Sequence, residues 1–270
     1  MKKNFVSCLF VILYLLSCEE VVDVELTSTQ PQLVVGGQIG FNENNGDPIT
    51  TGQVTLTLTS PFFSDGNPPA ENALVSIIDE QTGEVFNLIE DDPGIFNDGF
   101  PNLEFDRDYT LEIVYENEVY TATEQLIATG TIDSAEQDDG FLFEEDEETE
   151  VVITFSDIPN ERNYYLFSFG FENFLVTDDE FYQDSNLTFS YFYEEVEPGD
   201  LLTITLLGVT QEFATFVDLT LVQSGENAGG PFMVPPATVR GNIINTTNNN
   251  NFAFGYFSIS EFDVAFVTVE

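Results

Sequence analysis

Histidine and tryptophan are absent from this 270-residue sequence, and lysine occurs only at Lys2 and Lys3. Cysteine occurs only at Cys8 and Cys18. These absences exclude Ser-His-Asp and Cys-His catalysis, His/Cys zinc sites and, beyond residue 3, lysine Schiff bases. The sequence also has no glycine-rich phosphate loop of the Walker or dinucleotide type. The remaining chemistry is that of carboxylates, either a glycosidase-like Asp/Glu pair or oxygen ligands for Ca²⁺.

Positive charge is scarce along the whole chain. Five Lys and Arg residues face 49 Asp and Glu residues, which gives a formal net charge of −44. Such a field repels nucleic acid and anionic lipid headgroups, so we expect no nucleic-acid partner. The chain is nevertheless 42% hydrophobic and contains 27 Phe residues. A disordered chain lacks that much apolar surface, so the composition predicts a folded protein.

The N-terminus has the pattern of a lipoprotein signal. Lys2 and Lys3 precede the apolar run FVSCLFVILYLL, which is shorter than the roughly 20 residues that a membrane-spanning helix needs. The run ends in Leu-Leu-Ser-Cys, which resembles the lipobox of bacterial lipoproteins, where the cysteine is acylated after cleavage. We therefore predict a signal peptide at residues 1–17 and lipidation of Cys18. An ordinary signal peptide with an incidental cysteine is the alternative.

Removal of residues 1–17 changes both the cysteine content and the charge. The mature chain would keep only Cys18 and would carry three arginines against 49 acids, a net charge of −46. It would therefore contain no disulfide. Glu19 and Glu20 follow Cys18 and resemble the export signal that sends such lipoproteins to the cell surface. We expect residues 18–30 to form an acidic stem, and the alternative for Glu19 and Glu20 is that they are ordinary solvated residues of this stem.

Apolar alternation predicts β-strands along most of the remaining chain. The segment QVTLTLTSP (53–61) alternates strictly, which indicates a half-buried strand. Turn residues at 81–83 and 116–118 predict two hairpins. Short strands separated by turn signals indicate an N-terminal immunoglobulin-like antiparallel β-sandwich over residues 31–128. We expect a second β-rich domain over residues 129–270, into which residues 129–140 lead.

One segment has helical rather than alternating periodicity. Apolar residues in QEFATFVDLTLVQSGEN (211–227) recur at the spacing of one helix face, namely Phe213, Phe216, Val217, Thr220 and Leu221. Residues 252–260 and 262–269 predict two closing strands, and NTTNNNN (245–251) predicts a turn or loop. The predicted fold class is therefore mainly β with one helix.

Three segments contain candidate ligand or contact residues. NENNGD (42–47) and DDPGIFNDG (91–99) contain oxygen ligands for Ca²⁺, but neither has the EF-hand pattern. Asn, Asp and Gly are also the usual turn residues, so we predict no metal site and no catalytic residue, with Ca²⁺ as the alternative. Aromatic residues in SPFFSDG (60–66) are a candidate contact surface.

Arg107, Arg162 and Arg240 are the only cations after Lys3. The planar guanidinium suits carboxylates, and acidic partners are abundant in this chain. We therefore predict structural ion pairs at all three arginines, with an anionic ligand as the alternative. At Arg240 we expect the pair to hold the extended segment PFMVPPATVRGNIIN (231–245) in place.

The order of several motifs resembles a known family, domain of unknown function 4249, whose members are outer-membrane lipoproteins of Bacteroidota. The resemblance covers nearly all of the predicted mature chain, although this chain lacks the family's usual scattered lysines. The motifs are, in order, the lipobox, QPQLVVGGQI, LTLTSPFF, ENALVSIIDEQTGEVFNL, DDPGIF, YTLEIVYENEVYTA, IDS, NYYLFSF, PFMVPPATVRGNI and FGYFSIS.

The resemblance implies a location and a role. Members are encoded near TonB-dependent receptors, so we expect a lipid-anchored protein of the outer membrane that faces the cell exterior. We expect it to be non-catalytic and to serve as an accessory or ligand-capturing partner of such a receptor in nutrient uptake. The alternatives are a calcium-assisted or two-carboxylate hydrolase of surface polymers, and a structural adhesin or assembly factor. The family has no established catalytic residues to carry over.

Overall fold

Strands dominate the part of the chain that the computed structural model describes, which is residues 30–43, 48–61, 64, 66–143, 148–171, 173–224 and 238–270. The strands there are β1 (Leu33–Asn42), β2 (Ile49–Leu58), β3 (Leu74–Asp79), β4 (Val85–Asn87), β5 (Ile89–Asp92), β6 (Ile95–Asp98), β7 (Asp108–Tyr115), β8 (Glu118–Gln125), β9 (Thr131–Asp138), β10 (Glu148–Ser156), β11 (Tyr164–Ser168), β12 (Phe174–Asp178), β13 (Asn186–Glu194), β14 (Leu201–Val209), β15 (Ile244–Asn245) and β16 (Phe254–Thr268). The helix is α1 (Gln211–Ser224).

The strands form three sheets. An eight-stranded sheet has the order β12-β11-β14-β16-β1-β2-β6-β5, a five-stranded sheet has the order β15-β8-β7-β3-β4, and a three-stranded sheet has the order β13-β10-β9. Strands β1 and β16 pair in parallel. The other strand pairs of the described residues are antiparallel, as short connections between sequential strands allow.

Two hydrophobic cores lie between these sheets. The first joins inward residues of β1 and β2 to those of β3, β7 and β8, for example Val35, Ile77 and Leu111. The second joins β11, β14 and the end of β16 to β10 and β13. Its centre is aromatic: the Phe155 ring lies edge-on to Phe167 with centroids 5.1 Å apart. The predicted fold class, mainly β with a sandwich and one helix, is confirmed.

Strand β16 takes part in both halves of the eight-stranded sheet. Residues 254–261 pair with β1, and residues 262–268 pair with β14. The prediction of two separate closing strands is therefore wrong, because a single 15-residue strand runs through both segments. Residues Pro31–Glu270 form a compact unit, and strands from both sides of residue 128 lie in the large sheet. The division into domains at that residue stays a prediction.

Residues 129–140, which lead into the predicted second domain, contain strand β9. The chain entering β9 is attached to β16: Glu261 N donates to Ile127 O at 2.7 Å, and Thr129 N donates to the Glu261 carboxylate at 2.9 Å. Ile132 N donates to Asp263 Oδ2 at 2.8 Å. These contacts leave little freedom for a hinge at this point.

Each core contains a buried tyrosine whose hydroxyl holds an upstream loop. Tyr109 is fully buried, and its hydroxyl accepts a hydrogen bond from Glu104 N at 2.9 Å. Tyr165 is also fully buried; its hydroxyl accepts from Ile158 N at 3.1 Å and donates to Asp157 at 2.6 Å. Such tyrosine-to-backbone bonds resemble the tyrosine corner of immunoglobulin-like sandwiches.

Candidate functional site

Helix α1 lies on the outer face of the eight-stranded sheet, and the prediction of a helix here is confirmed. Thr210 lies between the end of β14 and the start of α1. Its hydroxyl accepts a hydrogen bond from Phe213 N at 3.1 Å, which caps the helix. Phe213 and Phe216 pack on Tyr256 of β16, with ring centroids 4.9 and 5.2 Å away. The predicted apolar face is therefore the face that contacts the sheet.

A groove of about 550 Å³ lies between this helix and the sheet. Its floor includes Gly36 and Gly37 of β1, and its wall is the apolar face of α1. A Cβ on Gly36 would meet no atom within 4 Å, so the floor is open at this residue. The lining residues are Val34, Val35, Gly36, Gly37, Gln38, Gln53, Thr55, Leu166, Phe174, Phe213, Phe216, Val217, Thr220, Leu221, Gly255 and Tyr256.

The groove has few polar groups and none of its described lining residues is charged. Gln38, Gln53, Thr55 and Thr220 supply amide and hydroxyl groups along its edges. Burial raises the pKa of Tyr256 to about 12, so this phenol stays protonated at neutral pH. The groove can therefore hold an uncharged apolar body and orient it with a small number of hydrogen bonds.

A polar cluster lies beside Tyr256. Burial raises the pKa of Glu124, and Asn242 Nδ2 donates to its carboxylate at 2.7 Å. Asn242 also donates to Phe257 O at 2.8 Å and accepts from Phe257 N at 2.9 Å. These bonds fix the chain before β15 against β16. Gly241 is required here, since a Cβ on it would overlap the carbonyl oxygen of Gly255.

Two of the three predicted arginines form ion pairs. Arg107 contacts Asp79 at 2.9 Å and Glu104 at 2.7 Å. Burial acts to raise the pKa of Asp79, but hydrogen bonds from Thr82, Gln81 and Arg107 outweigh it and lower the pKa. Arg162 contacts Asp178 at 3.2 Å and Glu180 at 3.3 Å, and its side chain is half exposed.

At Arg240 the described chain shows an aromatic contact, and the predicted ion pair stays a prediction. Its guanidinium lies over the Phe252 ring, 3.7 Å from the centroid, and the residue is exposed. No carboxylate of the described chain lies within ion-pair distance of it. The local reason is a neighbouring aromatic face, which attracts a cation without an acid. Of the segment 231–245 that it was expected to hold, residues 231–237 lie outside the described chain.

The two segments that contain candidate Ca²⁺ ligands make turn and loop contacts. In 91–99, Gly94 N donates to Glu90 at 2.7 Å and Gly99 N donates to Asp98 at 2.7 Å, as in ordinary turns. In 42–47, Asn42 donates to Phe262 O at 2.6 Å, and residues 44–47 lie outside the described chain. The described residues contain no group of three or more His, Cys, Asp or Glu side chains arranged to hold a metal ion.

Several predicted residues cannot be placed. Cys18, Glu19 and Glu20 lie outside the described residues, as do residues 62, 63 and 65 of the candidate contact surface 60–66. In the described chain, no helix is both long and apolar enough to span a membrane.

The sequence predicted one wall of the groove but not its floor. The helical spacing of the residues from Phe213 to Leu221 identified the face that packs on the sheet. The signal for the floor was the Gly36-Gly37 pair inside the strand-like LVVGGQI, because glycine within a strand often marks a close approach or a ligand.

Over the described residues the fold is a β-sandwich, with an apolar groove between the outer face of the large sheet and helix α1. The chain belongs to the family described as domain of unknown function 4249, whose model matches residues 19–264. No curated protein matches the sequence.

Two solved structures share limited similarity with the chain. One is a DUF4785 family protein from Legionella pneumophila, at 8% identity and a TM-score of 0.22, with 65% of this chain and 52% of that chain covered. The chain thus spans about half the length of that protein. The other is the chicken interferon gamma receptor alpha chain, at 10% identity and a TM-score of 0.20, with 66% and 88% covered.

Proposed function

We propose that this protein is a non-catalytic binding protein that captures a ligand with an apolar body in the groove beneath α1. The groove itself carries this proposal. Its volume of about 550 Å³ lies within the range of roughly 300–1,000 Å³ that is typical of small-molecule sites. Its largely apolar lining with five amide- or hydroxyl-bearing side chains also matches such sites.

The electrostatics narrow the ligand class. The chain carries a net charge of −44, which disfavours anionic ligands. The lining offers amide and hydroxyl groups rather than an ion-pair partner. The ligand is therefore an uncharged or weakly cationic molecule whose apolar part contacts α1 and whose polar group meets Gln38 or Gln53. No carboxylate is among the described lining residues, which favours binding over two-carboxylate hydrolysis in this groove.

The proposed location rests on the N-terminal sequence. In this proposal, Cys18 carries the lipid that holds the protein in the outer membrane, and Glu19 and Glu20 direct it to the cell surface. The captured ligand then passes to a TonB-dependent receptor. The lipobox-like Leu-Leu-Ser-Cys and the acidic residues after it support this location, and the resemblance to lipoproteins of Bacteroidota supports the partner.

The groove can be filled without disturbing the fold. Gly36 is exposed on the groove side of β1, and its added Cβ would meet nothing within 4 Å. We expect Gly36→Leu to reduce binding of the uncharged apolar probe N-phenyl-1-naphthylamine at least about tenfold, equivalent to about 1.4 kcal/mol. Probe fluorescence measures binding, and thermal melting checks that the variant folds.

Thr203→Leu is the matched control, because Thr203 is an exposed strand residue outside the groove lining. It should bind the probe as the unmodified chain does. Equal probe binding by Gly36→Leu and the unmodified chain would contradict the groove as the site. The anchor and the partner are tested separately, by mass spectrometry of the mature N-terminus and by identifying the proteins that co-purify in mild detergent.

A further inference from the structure

A second cavity, of about 370 Å³, lies on the outer face of the eight-stranded sheet next to the groove beneath α1. The two cavities share Gln38 and Gln53, so they meet at this pair of side chains. None of the described residues that line the second cavity is charged. They are Gln38, Gly40, Thr51, Gly52, Gln53, Thr205, Leu207 and Phe262.

Strand register shows that the two cavities follow one line along β1. Residues directly opposite each other on β1 and β2 point to the same face of the sheet, and alternate pairs share that face. On the outer face the pairs are Gly36 with Thr55, Gln38 with Gln53 and Gly40 with Thr51. From Val34 in the groove to Gly40 in the second cavity, β1 advances six residues, or about 20 Å at roughly 3.3 Å per residue. We call this continuous depression the β1 trough.

The β1 trough has an amide-bearing middle and two largely apolar ends. Gln38 and Gln53 are exposed and carry the only side-chain amides among the described residues that line the two cavities. On one side of this pair lies the apolar face of α1. On the other side lie Leu207 and Phe262, and a Cβ on Gly40 would meet the Phe262 ring at 2.8 Å. The two ends add only single hydroxyl groups, on threonine and tyrosine side chains, so a polar linkage in a ligand finds its best partners in the middle.

The backbone of β1 has no free edge beneath the trough. It pairs with β16 on one side and with β2 on the other. A peptide lying along β1 could therefore not add to the sheet as a further strand. Those of its backbone groups that face the floor would meet two amides and isolated hydroxyls, and each group left unpaired on burial lowers the affinity. The same argument weighs against an oligosaccharide, so the site favours a ligand with one polar linkage.

We propose that the β1 trough binds a neutral linear molecule in which one carbonyl linkage, an ester or an amide, joins a longer and a shorter alkyl chain. This inference rests on the proposed function and extends the site beyond the groove. Val34 lies about 13 Å from Gln38 along the strand, and Gly40 lies about 7 Å beyond Gln38, at roughly 3.3 Å per residue. The longer chain therefore lies beneath α1, the carbonyl accepts from the amides of Gln38 and Gln53, and the shorter chain lies beside Phe262. The net charge of −44 disfavours fatty-acid anions and anionic phospholipids.

Two isomeric amides test where the polar linkage must lie. N-pentyldecanamide and N-methyltetradecanamide have the same composition, but only the first has its carbonyl between a longer and a shorter chain. Each is used below the concentration at which it self-associates, and its affinity for the full chain is measured by isothermal titration and by displacement of N-phenyl-1-naphthylamine. We expect N-pentyldecanamide to bind at least about tenfold more tightly, because its carbonyl meets the glutamine amides while both chains stay on apolar surface.

Filling the second cavity separates its contribution from that of the groove. Thr51 is exposed and lines the second cavity but not the groove. Thr51→Trp should weaken N-pentyldecanamide binding at least about tenfold and leave N-phenyl-1-naphthylamine binding unchanged. Thr203→Trp is the matched control, because Thr203 is an exposed residue of β14 outside both linings, and this variant should keep both affinities. Thermal melting checks that both variants fold.

The outcomes distinguish this inference from the proposed function. If the unmodified chain binds N-phenyl-1-naphthylamine but binds the two amides equally, the groove remains a site and the β1 trough is overturned. Equal affinities of Thr51→Trp and Thr203→Trp for N-pentyldecanamide would overturn it too. Equally tight binding of a capped hexapeptide of alternating valine and serine would overturn the ligand class. A chain that binds neither N-phenyl-1-naphthylamine nor either amide would overturn the proposed function together with this inference.

Discussion

Glu118 is a single carboxylate that organises the asparagine-rich loop after β15. Its side chain accepts hydrogen bonds from three asparagine amides and from the Tyr120 hydroxyl, at 2.6–2.9 Å. The amides belong to Asn245, Asn248 and Asn251, more than 120 residues away in the sequence. A loop with no apolar residues is thereby ordered by one charged acceptor, since hydrogen bonds to a charge are stronger than neutral ones.

This arrangement predicts a defined pH dependence. Hydrogen bonds from Asn248 and Asn251 hold the pKa of Glu118 at about 2, below the ordinary 4.5. Because the folded pKa is the lower one, Glu118 contributes its stability fully above about pH 4.5 and loses it as the pH falls toward 2. Glu118→Gln should lower the free energy of unfolding at pH 7 by about 1.5–3 kcal/mol. It should also flatten the stability profile between these pH values.

Urea unfolding at several pH values measures both effects. Glu116→Gln is the matched control, because Glu116 is exposed in the same turn and has no side-chain bond to the loop. A Glu118→Gln profile that stays parallel to that of the unmodified chain would count against the role given to Glu118.

The sequence could not reveal this residue's role. NTTNNNN predicts a loop by composition alone, because asparagine favours turns wherever it occurs. The ordering partner lies at the start of β8, and only the pairing of β15 with β8 brings the two together. The same limit applies to Arg240, where composition predicted an acidic partner but the observed contact is with the Phe252 ring.

At the scale of elements, alternation was a reliable guide where one strand face is buried and the other is polar. It indicated a strand at residues 53–61, most of which lies in β2, Ile49–Leu58. It missed β9, where only Ile132 and Ala135 pack on the core and the other side chains are polar. It divided β16 at Glu261, because a charged residue interrupts an apolar run. In the structure that carboxylate accepts from Thr129 N, so the strand continues.

In the groove, too, one part could be predicted from local sequence and the other depends on residues distant in the sequence. The face of α1 is a local pattern and was predicted from it. This helix face lies opposite Gly36 because β1 pairs in parallel with β16. That pairing joins the two ends of the described chain. No local pattern contains that pairing, so the sequence predicted the helix but not the groove.

The start of α1 allows an element-scale test. Thr210 caps the helix through Phe213 N, and Glu212 lies in the first turn, where a negative charge favours the helix dipole. Thr210→Ala should reduce the free energy of unfolding by about 0.5–2 kcal/mol, while Thr210→Ser, which keeps the hydroxyl, should restore most of it. Urea midpoints compare the three proteins. Equal midpoints for Thr210→Ala and the unmodified chain would mean that the cap is not stabilising.

For the whole molecule, charge is the dominant property. The described chain has ion pairs only at Arg107 and Arg162, whereas the sequence carries 49 acids. Salt weakens exposed ion pairs but also weakens repulsion between acids. Surface pairs each contribute about 0–1 kcal/mol, so two arginines cannot offset a net charge of −44. Self-repulsion is therefore the electrostatic term that salt should affect most.

We predict that added sodium chloride raises the melting temperature. The Debye length falls from about 30 Å at 0.01 M to about 8 Å at 0.15 M, so most of the gain should occur within this range. Sucrose, which is uncharged, serves as a control for general solute effects on burial. Melts in sodium chloride and choline chloride at equal ionic strength should coincide if screening is the cause. The prediction is contradicted if the melting temperature stays constant or falls across this range. Repulsion between the acidic residues would then not destabilise the folded chain.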